Sequence, residues 1–162
     1  MLNEKITKLM NKQINEELYS AYLYTYFATY FDHRDLKGFG HWYRMQAKEE
    51  FSHAQKFCNY MVNQGRQPEL KEIRVPDVKI TDFLSLAKAA LAHEVQITGL
   101  IHKICEAAED LKDYRSRQFL DWFVAEQAEE EVNACDMVSL LETVEGNRAA
   151  LYFADAKMAE RA

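Results

Sequence analysis

The sequence predicts an all-α fold: a four-helix bundle with one long crossover connection and a short fifth C-terminal helix. Three observations lead there. Only two prolines and five glycines interrupt 162 residues that are 48% hydrophobic, a balance that suits long helices better than a turn-rich β protein. Four long stretches carry apolar residues at helical spacing. The links between these stretches are short, long and short in turn, and that order sets the topology.

The first stretch runs from about Leu2 to Phe31 and the second from about Leu36 to Gln64, where Gly65 suits the position just past a helix end. Residues 65–81 contain Pro68 and Pro76 and show no amphipathic period. Thr81 or Asp82 can cap the third stretch, which reaches about Asp110. The fourth covers about Tyr114 to Glu145 and stops at Gly146, and a short fifth follows at about 147–158. A few residues around Asp32–Asp35 join the first pair, and Leu111–Asp113 join the second, so each pair packs antiparallel. The middle link of about 17 residues can stretch roughly 55 Å. A helix of about 28 residues is roughly 42 Å long. The link can therefore run the length of the bundle and leave its flanking helices parallel. The whole chain, residues 1–162, is of a size for one domain with a sizeable core.

A net charge of −6 excludes the basic face of a nucleic-acid binder. The opening MLNEKITKLM lacks the apolar core of a signal peptide, and no apolar run is long enough to span a bilayer. The expected location is the cytoplasm. Cys58, Cys105 and Cys135 form no C-x-x-C pair, so they read as small buried hydrophobes rather than a zinc or rubredoxin-like site.

Each long stretch carries one glutamate inside its apolar stripe: Glu17, Glu50, Glu94 and Glu130. At about 100° per residue, Ile14, Ala21, Tyr24 and Ala28 share the face of Glu17. Tyr43, His53, Ala54 and Phe57 share that of Glu50, while Leu91, Ile97 and Ile101 flank Glu94. Phe123, Gln127, Ala134 and Met137 flank Glu130. Heights also match. Glu94 and Glu130 each stand about 18 residues from their shared turn, and Glu17 and Glu50 differ by only about 5 Å. All four belong in one layer.

A buried carboxylate without a partner is costly. The stripes supply no lysine or arginine, which argues against a plain helical interaction protein held by buried salt bridges. Four carboxylates with His53, three residues after Glu50, are a hard, oxygen-rich set with one nitrogen. Such a set suits iron or manganese better than zinc or copper, and Glu50 is the best placed to bridge two ions. The arrangement departs from a symmetric di-iron bundle with two Glu-x-x-His motifs, because the fourth helix reads Gln127-Ala128-Glu129-Glu130. Glu126 and Glu129 border its stripe, and Glu49 is turned about 100° from Glu50. These three are either a solvated face or an accessory metal site.

The segments Asn15-Glu16-Glu17-Leu18-Tyr19-Ser20, Glu49 to His53, the lone Glu94, Glu126 to Glu131, and Leu151-Tyr152-Phe153 with Asp155 together resemble the bacterial non-haem ferritins, a ferritin-like di-iron family. The resemblance covers almost the whole chain. It implies a ferroxidase that oxidises Fe(II) with dioxygen or hydrogen peroxide and stores Fe(III) mineral in a shell of 24 subunits. It implies that Glu17, Glu50 and His53 bind one iron, and that Glu50, Glu94 and Glu130 bind a second with Gln127 alongside. Glu49, Glu126, Glu129 and Glu130 match the family's third iron site. Tyr24 matches a tyrosine that can supply an electron; core packing explains it equally well. Bacterioferritins resemble the chain too, but they carry a second Glu-x-x-His and a haem-ligating methionine where Phe51 stands, so no haem is expected. Rubrerythrins need a four-cysteine domain, and mini-ferritins place their ligands at subunit interfaces. The competing enzyme reading is a di-iron oxidase or peroxidase of the same superfamily without a storage shell. His33, His41, His93 and His102 receive no role.

Overall fold

A computed structural model describes residues 1–162. The long helices are α1 (Glu4–Asp32), α2 (Lys37–Asn63), α3 (Phe83–Asp110) and α4 (Tyr114–Val144), and α5 (Arg148–Met158) is short. There are no strands. These bounds agree with the apolar periodicity to within a few residues at each end.

Local chemistry explains where the helices start and stop. Asn3, Asp113 and Asn147 accept a backbone N–H in the first turns of α1, α4 and α5. Asp82 and Ser85 form a reciprocal capping box at α3. Gly65 and Gly146 take left-handed backbone after α2 and α4, with φ of 76° and 73°. Leu36, at the start of α2, offers no side-chain cap. The missing acceptor comes from α5 instead: Asp155 Oδ1 accepts the Phe39 N–H at 2.9 Å. Gly38 makes room for this contact, because a Cβ there would lie 1.7 Å from the Asp155 carbonyl oxygen.

α1 packs on α2, α3 on α4, and α1 on α3. Two apolar clusters fill the interior. One joins the C-terminal half of α1, the N-terminal half of α2, the start of α3, the end of α4, and Ala154 of α5, around Phe27, Phe31, Phe39 and Tyr43. The other joins the opposite halves, around Ile6, Met10, Phe57, Ile101 and Phe123. This distribution makes α2 and α3 parallel, as the long link requires. Residues 64–82 travel along α1 and are stitched to it. Asn11 Oδ1 accepts Glu69 N–H at 2.9 Å, Asn15 Oδ1 accepts Lys71 N–H at 2.7 Å, and Asn15 Nδ2 donates to the Glu69 carbonyl at 2.9 Å. Arg74 then pairs with Glu16 and lies over the Tyr19 ring.

Candidate di-metal centre

Between the two apolar clusters lies one polar layer. Glu17, Glu50 and His53 break the apolar pattern of α1 and α2, Glu94 that of α3, and Gln127 and Glu130 that of α4; all six are buried. The expected mid-bundle layer is therefore formed. Its ligand-type atoms fall into groups whose members lie within 4.8 Å of one another: Glu17 with Glu50 and His53, Glu50 with Glu94 and Glu130, and His53 with Glu126 and Glu130. Glu50 belongs to the first two groups.

No lysine or arginine pairs with Glu17, Glu50, Glu94 or Glu130. Side-chain amides supply the hydrogen bonds instead. Gln13 Nε2 donates to Glu17 Oε1 at 2.8 Å, and Gln127 Nε2 donates to Glu94 Oε2 at 3.1 Å. Gln46 Nε2 donates to Glu130 Oε2 and, at 3.4 Å, to Glu50 Oε1. The Tyr24 hydroxyl donates to Glu94 Oε1. Of the four buried side-chain atoms without a hydrogen-bond partner, two belong to this layer: Glu17 Oε2 and His53 Nδ1, the latter 3.3 Å from Glu50 Oε2. Orphaned lone pairs on an oxygen and a nitrogen of one group are what a cation would satisfy, so the donor set fits a metal ion.

The electrostatics agree. Burial, followed by repulsion from Glu50, raises the Glu17 carboxyl well above the usual range. Burial, with Glu94 and Glu130 next, does the same to Glu50. Glu94 is raised by burial, and Glu130 is pushed up to about 8 by burial and then by Glu94. Burial and the Glu94 charge also hold Tyr24 in its neutral form. Without a cation, the layer can keep its charge low only by retaining protons.

The accessory residues are dispersed. Glu126 Oε1 stands 3.5 Å from His53 Nε2. Glu49 and Glu129 fall outside the three groups and line a neighbouring cleft of about 440 Å³. Glu49 Oε2 accepts a 2.7 Å hydrogen bond from Arg161.

Gln13 and Gln46 are site residues that the sequence reading passed over. A signal was present, because they precede Glu17 and Glu50 by four residues and so share their faces. Arg161 had no such signal. His93 is buried against Ser20, with Nε2 and Oγ 2.6 Å apart, and burial lowers its pKa to about 4. Of the cysteines, Cys105 is buried, Cys58 is partly so, and Cys135 is exposed. That corrects the expectation of three buried thiols: Cys135 sits about 140° around α4 from Glu130, away from the core.

Fold and site together define a helical-bundle protein with a buried layer of carboxylates and one imidazole whose groupings suit metal binding. The family model for the ferritin-like domain matches residues 7–144. The chain is 31% identical over 161 residues to a bacterial non-heme ferritin of Staphylococcus aureus, covering 99% of this chain and 97% of that protein. It is 32% identical over 161 residues to that of Staphylococcus haemolyticus. Among solved structures, the open pore ferritin of the archaeon Archaeoglobus fulgidus superposes with a TM-score of 0.97 over 100% of both chains, at 38% identity. The chain belongs to the ferritin family.

Proposed function

We propose that this protein is an iron-storage ferroxidase: it binds two Fe(II) ions as substrate in the central layer, oxidises them with dioxygen or hydrogen peroxide, and stores ferric mineral inside a shell of 24 copies in the cytoplasm. The observation that carries the reading is the membership of Glu50 in two ligand groups. A carboxylate common to both can hold two ions side by side. In this reading Glu17 and His53 complete one position, and Glu94 and Glu130 the other, with Gln127 orienting Glu94. The chain acts as one ferritin-like unit over residues 1–162.

The residues suit the chemistry. Two Fe(II) give up two electrons. Dioxygen takes these with two protons to become hydrogen peroxide, or hydrogen peroxide takes them with two protons to become two waters. Protons held by the crowded carboxyls leave as the cations enter, so metal binding and proton release are linked. Tyr24, donating to Glu94, is placed to pass an electron or simply to orient that carboxylate. Glu49, Glu126, Glu129 and Glu130 are the candidate ligands of an accessory iron position beside the centre; Glu126 and Glu130 already stand near His53, and Glu49 and Glu129 would have to turn in from their cleft.

Stopped-flow Fe(II) oxidation, with sizing of the aerobically loaded protein, tests the reading. Glu50→Ala and His53→Ala are expected to slow oxidation at least tenfold by roughly removing one shared or one terminal ligand. Wild-type rates in both variants would sink it. A Tyr24→Phe arm separates the roles of that hydroxyl: an unchanged rate over repeated turnovers would return Tyr24 to packing. A small oligomer without mineral would favour an oxidase lacking a storage shell.

A further inference from the structure

The cleft beside the centre holds a cation that belongs to the chain itself. Arg161, which follows α5, lays its guanidinium along α2. It donates to the Trp42 carbonyl at 3.2 Å, to Gln46 Oε1 at 3.0 Å and to Glu49 Oε2 at 2.7 Å. The group lies 4.5 Å from the Trp42 ring centroid, and its own carbonyl is 2.6 Å from His41 Nε2. The Arg161 side chain is only 19% exposed. An arginine side chain with three hydrogen bonds, one of them to a carboxylate, and a ring contact is far more fixed than an ordinary exposed ion pair.

The placement matters because of what Arg161 touches. Glu49 and Glu129 line the same cleft as Arg161, while Glu126 stands outside it, 3.5 Å from His53 Nε2. Glu49 alone among these acidic residues is bonded to a positive charge. A guanidinium can only donate, so Gln46 must turn its oxygen towards Arg161 and its NH₂ towards Glu130 and Glu50. The same guanidinium that holds Glu49 thus also fixes, through its other nitrogen, the amide that serves the centre.

We propose that Arg161 is the resident counter-cation of the accessory position: its guanidinium holds Glu49 in the metal-free protein, and a third iron binds there only by displacing it. The inference rests on the proposed ferroxidase reading and adds to it an order of filling. The two central positions fill first. The third fills later and more weakly, against an internal competitor, and its filling frees Gln46 to turn. The competition involves binding alone and needs no redox step.

The test is anaerobic titration of metal-free protein with Fe(II) by calorimetry, paired with iron-edge anomalous diffraction of crystals soaked at graded Fe(II). The variants are Arg161→Gln, Arg161→Lys and Glu49→Gln, each checked for unchanged thermal midpoint and assembly size. With Arg161→Gln the third iron is expected to bind about tenfold more tightly, the scale of one lost charge-assisted contact, with the central pair still occupied though held more loosely as Gln46 loses its anchor. Arg161→Lys keeps the charge and should stay near wild type. In Glu49→Gln, the further change Arg161→Gln should have no effect on iron count. If the central pair binds normally and third-iron affinity is the same in wild type and Arg161→Gln, the inference is overturned while the ferroxidase reading stands. Equal tightening by Arg161→Lys and Arg161→Gln would also overturn it, because charge would not be what competes. If the wild-type protein takes up no iron at all, the ferroxidase reading fails and this inference falls with it.

Discussion

Removing metal should make this protein lose stability as pH rises, opposite to the usual behaviour of a protein with salt-bridged carboxylates. The Glu130 carboxyl is pushed from 4.5 to about 8 in the metal-free fold. Between those values the folded state keeps a proton that the unfolded chain has released. The folded state then binds more protons, so stability is fully present below the unfolded value and drains away as pH climbs towards about 8. Each retained proton contributes a slope of about 1.4 kcal/mol per pH unit. An unfolding entropy of about 2.1 cal/mol/K per residue gives roughly 0.34 kcal/mol/K for a chain of this length. One proton therefore corresponds to a fall in Tm of about 4 °C per pH unit. Glu17, Glu50 and Glu94 are raised as well and act in the same direction, while His93, lowered from 6.5 to about 4, works against them up to about pH 6.5. Calorimetry of chelator-treated protein at pH 6, 7 and 8 measures the slope, with sizing at each pH to separate unfolding from dissociation. Glu130→Gln, which cannot titrate, should flatten the slope by about one proton. Saturation with redox-inert Zn(II) should reverse its sign, because cations bind the deprotonated carboxylates. A Tm that stays level or rises with pH in metal-free protein, or a Glu130→Gln slope equal to wild type, would refute the reasoning.

Two further outcomes follow from particular contacts. Gln46→Ala strips the amide that Glu130 and Glu50 share and should weaken central metal affinity by about tenfold or more; an unchanged affinity in calorimetric titration would show that the carboxylates hold their places without it. Gly38→Ala drives a Cβ to within 1.7 Å of the Asp155 carbonyl oxygen. It should lift α5 from α2, uncap Phe39 N–H and cost about 2 kcal/mol or more, read as a lowered denaturation midpoint and faster amide exchange in α5. Protection of α5 equal to wild type would argue that the helix has other anchors.

The bundle and its polar layer were legible in the chain because both are periodic. Helices need only local spacing, caps and breakers, and Gly65, Asp82 and Gly146 ended or began helices where the sequence said they would. The four glutamates could be set on core faces by rotation and brought to one height by counting from the turns, since helix rise is constant. The parallel run of α2 and α3 followed from the reach of residues 65–81 compared with the length of a helix.

Contacts between distant segments had no such regularity. That Asp155 of α5 would cap α2, that Asn11 and Asn15 would carry the crossover, and that Arg161 would reach Glu49 and Gln46 depends on how whole helices are docked, which no local period encodes. Gln13 and Gln46 lay in between: their spacing put them on the right faces, but only packing decided that a buried amide would point at a carboxylate rather than at a backbone group. The four buried glutamates were thus written in the sequence. What shields them, orients them and pairs with their neighbour Glu49 was decided only when the chain closed on itself, because those effects depend on side-chain distances across the bundle rather than along the helix.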